Sequence, residues 1–156
     1  MKSSIGDYIN ELLSRSNLSQ AELAREIKVS RQLLSYVISG KREMSLQLAM
    51  KLESFFSLSD GELMQMQALQ SIKQRKHDIK NHLCEQLVAK NAFWSYDVKS
   101  HEEIPDEELI EKCFTVLDLD DIDLMFEIFP RKRIYQVWKE RLAMQGEYMQ
   151  MLNVMI

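Results

Sequence analysis

Apolar side chains recur along this chain at helical spacing almost from end to end. Ile5, Tyr8, Ile9, Leu12 and Leu13 fall at i, i+3, i+4, i+7 and i+8, on one stripe of a first helix that ends near Ser16 and Asn17. Ser19 followed by Glu22 matches a capping box, in which hydroxyl and carboxylate reciprocally satisfy free backbone N–H groups. A short second helix therefore starts there and runs through Ala21, Leu23, Ala24 and Ile27 to about Lys28. Ser30 can cap a third helix almost at once, with Leu34, Val37 and Ile38 facing inward and Gly40 closing it. Ser45 can cap a fourth, whose apolar positions are Leu46, Ala49, Met50, Leu52, Phe55 and Phe56. The stretch from Ser59 to Glu62 reads as a second capping box opening a fifth.

From Glu62 to about Lys90 neither Gly nor Pro intervenes, so one long helix, or two broken ones, should connect front to back. Leu69, Ile72, Ile79, Leu83 and Leu87 lie near one stripe, which Lys76 interrupts, so packing against a neighbouring helix of the same chain is expected rather than a coiled-coil seam. The segment from Asn91 to Asp97 changes texture, with Phe93, Trp94 and Tyr96 close together, and is expected to clamp helical parts. Pro105, placed at a first helical position and followed by three acidic residues, opens a helix with Leu109, Ile110, Cys113, Phe114 and Leu117 as its apolar stripe. Another helix after Asp118 uses Ile122, Met125, Phe126 and Phe129, and one after Pro130 uses Ile134, Val137, Trp138 and Leu142, before Gly146 and a Met-rich tail. Asp118, Asp120, Asp121 and Asp123 lack the glycine and distal glutamate of a calcium loop and read as capping and solvated charge.

Four glycines and two prolines in 156 residues, with no sustained period-two alternation, make the expected class all-α. The expected organisation is a helix-turn-helix domain over 1–70, a helical connector over 71–91 and an acidic helical partner-binding module over 92–156. The charge is uneven: residues 1–56 carry +2, 57–90 carry +1 and 91–156 carry −7, within a net −4. An acidic total is a weak objection to nucleic-acid binding, because affinity depends on where the cations lie relative to phosphates. The two cysteines, Cys84 and Cys113, have no partner spacing for zinc or a disulfide framework, and His77 and His82 are five apart, off the i, i+4 spacing of a metal pair. No metal or cofactor is expected. The opening residues lack the apolar core of a signal peptide and no run reaches the roughly 18 apolar residues of a span, so a cytoplasmic protein with no membrane partner is expected. No glycine-rich phosphate loop, GxSxG or HExxH is present, and an enzyme is not expected.

Two short helices joined by a tight turn, the second presenting Arg31, Gln32, Ser35 and Tyr36 near its start, are what groove reading requires. Arg can donate bidentately to guanine and Gln can pair bidentately with adenine. Residues 18–52 resemble the XRE or lambda-repressor-like helix-turn-helix family through LSQAELA, the VSR turn, LLSYV, the SGKR exit and the Ser-capped fourth helix. Across about residues 4–70 the resemblance implies a five-helix domain in which Arg31, Gln32, Ser35 and Tyr36 face bases. It implies phosphate contacts from Ser19, Gln20, Ser30, Lys41, Arg42 and Ser45, aided by the helix N-termini. Leu33 and Tyr36 stand where many relatives carry smaller or polar residues.

The implied partner is double-stranded DNA, an inverted-repeat operator bound by a homodimer, since one such domain buries too little surface for typical specificity and half-sites lie about 34 Å apart. The exit SGKREMS resembles HigA-like antitoxins, and the back of the chain resembles a small helical module of toxin and antitoxin gene pairs, which implies an autorepressor whose acidic part binds a toxin protein. A plain repressor, or an interaction adaptor with secondary DNA binding, remains open at this point.

Overall fold

The computed structural model describes residues 4–93 and 104–143, and every regular element among them is helical. Helices α1 (Ile5–Arg15), α2 (Gln20–Glu26), α3 (Arg31–Ile38), α4 (Leu46–Phe56) and the long α5 (Glu62–Ala89) come first. They are followed by α6 (Asp106–Val116), α7 (Leu119–Ile128) and α8 (Arg131–Val137), which continues as a π-helical turn over Trp138–Leu142. The chain divides into two compact units, Met1–Lys73 and Gln74–Ile156, and α5 contributes to both.

Serines set the starts of the first four helices. Ser4, Ser19, Ser30 and Ser45 all hold extended backbone, and each hydroxyl accepts from the backbone N–H three residues on. Such a cap is worth about 1 kcal/mol. Ser19 with Glu22 forms the expected reciprocal box, and Ser4 with Asp7 forms another that the apolar pattern alone does not reveal. Gly40, at φ 71°, takes the left-handed position after α3. Lys28 occupies the same kind of position after α2 at φ 54°, a conformation that costs a side-chain-bearing residue about 1–2 kcal/mol.

The front core is built from Ile5, Ile9 and Leu13 of α1, Leu23 and Ala24 of α2, Leu34 and Val37 of α3, Leu48, Ala49 and Leu52 of α4, and Leu63 of α5. The phase of α4 differs from the expected one. Leu46 and Met50 are 62% and 61% exposed, whereas Leu48 and Glu53 are buried. Glu53 explains the rotation. Its carboxylate accepts from the N–H of Gly61 at 3.0 Å and of Leu63 at 2.8 Å, satisfying donors at the start of α5. The second capping box is correspondingly replaced: Gly61, at φ 80°, interrupts the chain, and α5 begins at Glu62. The Glu62 carboxylate still accepts from Ser59 N–H at 3.2 Å, and it also receives the Tyr8 hydroxyl at 2.6 Å, tying α1 to α5. That hydrogen bond, with burial, holds the Tyr8 phenol above its usual pKa.

Gly6 lies where α1 crosses the end of α3, and a Cβ there would stand 1.9 Å from the Ile38 carbonyl oxygen. Only glycine permits that approach.

In the back unit Ile79, Leu83 and Leu87 of α5 are buried together with Leu109, Ile110 and Cys113 of α6, Ile122 and Met125 of α7, and Ile134 and Val137 of α8. Leu69 and Ile72 share the expected stripe yet are 58% and 53% exposed, because residues 68–78 of α5 are exposed on every side. Pro105 occupies the N-cap of α6 rather than its first helical position. Asp118 is the N-cap of α7 but makes no side-chain cap bond; its carboxylate pairs with Lys90 at 3.1 Å. Ala92 and Phe93 join the core, while Trp94, Tyr96, Gly146 and the Met-rich tail lie outside the described residues.

Much of the acidity of α6 and α7 is paired within the unit. Arg133 bridges Asp106 at 2.8 Å and Glu107 at 2.6 Å, Lys80 also meets Asp106 at 2.9 Å, Arg141 meets Glu111 at 2.7 Å and His82 meets Asp121 at 2.9 Å. The Arg133 guanidinium holds the Glu107 carboxyl below the usual range. No described helix is long and apolar enough to cross a membrane.

Candidate nucleic-acid interface

The turn between α2 and α3 is fixed from three sides. Val29 N–H reaches back to Ala24 C=O at 2.9 Å, the Ser30 hydroxyl receives Leu33 N–H at 3.1 Å, and the Lys51 ammonium caps the Ile27 and Lys28 carbonyls at 3.1 and 3.3 Å. A cation on the last carbonyls of α2 complements the negative end of that helix. With Leu34 and Val37 wholly inward, α3 is held by its apolar side and presents its polar side to solvent.

Arg31, Gln32 and Tyr36 are exposed and Ser35 half-buried, so all four base-reading candidates lie on α3 with at least part of their side chains at the surface. Arg31 makes no ion pair among the described residues. Gln32 is engaged one turn along its own helix, its amide N–H donating to the Tyr36 hydroxyl at 3.0 Å. The Lys41 ammonium stands 5.9 Å over the Tyr36 ring, within cation–π range. Backbone N–H groups of Lys41 and Arg42 both donate to Tyr36 C=O, at 2.9 and 3.2 Å, so the SGKR exit folds back on the end of α3 and both cations stay exposed.

That exit loop is anchored from the other side by Gln67 of α5. Its amide accepts from Met44 N–H at 2.7 Å and donates to Met44 C=O at 3.0 Å, a reciprocal grip on the backbone of one residue. Gln67, Glu53, Lys51 and Gly6 carry this geometry and are absent from the set the sequence suggested. None belongs to a recognisable short motif, and only the packed structure pairs each with its distant partner.

The phosphate candidates fall into two groups by electrostatics. At α3 and α4 the first turn holds no acidic residue, and the Ser30 and Ser45 hydroxyls accept from Leu33 and Leu48 N–H, which leaves the positive ends of both helices without a carboxylate. At α2 the Ser19 hydroxyl donates to Glu22 at 2.7 Å, and Ser19's hydroxyl and backbone N–H hold the Glu22 carboxyl below its usual pKa. The carboxylate thus occupies the positive end of α2, and Ser19 has its proton committed, leaving half-buried Gln20 as the polar side chain beside it.

Comparisons with curated proteins and with solved structures give no match. Residues 9–63, from the middle of α1 to the start of α5, match the family model described as Helix-turn-helix. The front of this chain is therefore a helix-turn-helix domain, and the match supports a DNA-binding transcription regulator of the XRE type.

Proposed function

We propose that this regulator reads a specific duplex sequence by laying α3 in the major groove, as a homodimer on an inverted repeat. Arg31, Gln32, Ser35 and Tyr36 face base edges, while Ser30, Lys41, Arg42 and Ser45, with lesser parts for Ser19 and Gln20, hold phosphates. The observation that supports this most directly is the exposure of Arg31 and Gln32 at an N-terminus free of carboxylates, which leaves their donors and the helix dipole facing a polyanion. A binding titration on a duplex selected from random sequences, run at two salt concentrations, tests it. Arg31→Ala should flatten the base preference, while Lys41→Ala should weaken all duplexes alike and lower the salt slope by about one. Undiminished specific binding by Arg31→Ala would remove that residue from the reading surface.

The finer reading is an antitoxin-type autorepressor whose back unit docks a toxin. It is supported by the SGKREMS exit and by a back segment carrying −7, on which Asp120 and Asp123 stay exposed and outside the ion pairs given above. Removing residues 91–156 is a poor test, because Ile79, Leu83 and Leu87 would lose the side chains that bury them. The full chain should instead be co-expressed with the protein of the neighbouring reading frame. Neutralisation of a growth inhibitor supports the antitoxin reading, and a harmless neighbour leaves a plain repressor.

A further inference from the structure

Tyr36 lies exposed on α3, and its contacts divide cleanly by atom. Its carbonyl carries the exit loop, its ring lies under the Lys41 ammonium, and its hydroxyl accepts from the Gln32 amide at 3.0 Å. Only the hydroxyl reaches a base-reading candidate. A glutamine on a helix surface is otherwise among the more mobile side chains, and ordering it at a groove opposes binding. One of its two amide protons is held by Tyr36, which leaves one N–H and the carbonyl oxygen, the pair that adenine's N7 and N6 amino group require.

On the groove-reading proposal above, we infer that Tyr36 is a positioning residue for specificity. Its hydroxyl holds the Gln32 amide in the orientation that selects adenine, so the two side chains read one base pair as a unit. Tyr36→Phe removes the hydroxyl while keeping the ring under Lys41 and the carbonyl under the exit loop, which separates this role from a structural one.

The test is a double-mutant cycle on the full chain with Gln32→Ala, Tyr36→Phe and the pair. The ligands are the selected duplex and a set with each other base at the position where Gln32→Ala abolishes preference. Gln32→Ala should cost about 5- to 150-fold in discrimination there, the range of one bidentate pair. Tyr36→Phe should cost about 2- to 10-fold at that same position, the share of one ordered side chain, with the thermal midpoint unchanged. In the Gln32→Ala background Tyr36→Phe should cost nothing more. The inference fails if Tyr36→Phe leaves discrimination intact, lowers affinity for every duplex equally, or costs as much without Gln32 as with it. Loss of preference confined to a different base pair would show Tyr36 acting apart from Gln32 and overturn it too. A wild-type chain that binds DNA with no sequence preference would bring down the groove-reading proposal itself, a result separable from the other four because it appears before any substitution.

Discussion

Gly6→Ala is the substitution whose effect the structure determines most sharply. In an ordinary helix the change gains about 1 kcal/mol, since alanine is the better helix former. Here the added Cβ would lie 1.9 Å from the Ile38 carbonyl oxygen and 2.9 Å from its carbon, and contacts under 3.0 Å essentially never occur, so α1 and the end of α3 must part by about 1 Å. The obstacle is backbone on both sides, so no rotamer change relieves it. Overpacking costs about 1–3 kcal/mol, and a backbone clash of this size belongs at the top of that range or above it. The net loss is about 2 kcal/mol, which for a unit of this size lowers the melting midpoint by about 10 °C. Circular dichroism melts of the full chain measure it, and hydrogen exchange over α1 and α3 assigns the loss to the front unit. Gly40→Ala is the control: at φ 71° with nothing within 4 Å of its Cβ, it meets conformational strain alone and should lose about 1 kcal/mol. A Gly6→Ala protein as stable as wild type, or more so, would refute the close approach and with it the seating of α3 described above.

Glu53→Ala should destabilise the front unit by about 3 kcal/mol or more in urea titrations, because two N–H groups at the start of α5 lose their acceptor, while Glu53→Gln retains one oxygen and should lose less. Gln67→Ala should speed hydrogen exchange across Lys41 to Met44 and weaken DNA binding with its base preference retained, since the loop it frees holds Lys41 and Arg42, which are proposed to meet phosphates, and none of the residues proposed to read bases. In the back unit, burial pushes the Cys113 thiol up to about 12 from 9.0. A folded pKa above the unfolded one means that this contribution is complete below pH 9 and is lost as pH rises towards 12. At pH 10 about 1 kcal/mol should be gone, and alkaline melts in which Cys113→Ala shows the same slope as wild type would contradict this.

The sequence by itself determined the helices and their order. Scarce Gly and Pro, serine caps three residues ahead of a free N–H, and apolar stripes at helical spacing are local signals, and helices are made by local bonds. The same locality made the turn before Arg31 and the Gly40 stop legible, and with them the surface that carries the candidate site. What the tertiary structure alone decided is phase and partnership. Leu46 and Met50 are apolar like Leu48 and Leu52, yet the first two lie outside while Glu53, a polar residue, turns inward to satisfy the start of α5. Leu69 and Ile72 share a stripe with Ile79 and Leu83, but only the latter two have neighbours to bury them. Gly6 against Ile38, Gln67 against Met44 and Arg133 against Asp106 and Glu107 join residues more than twenty positions apart. Such pairings follow from how helices pack, a global property in which periodicity fixes which face is apolar and leaves open what that face will meet.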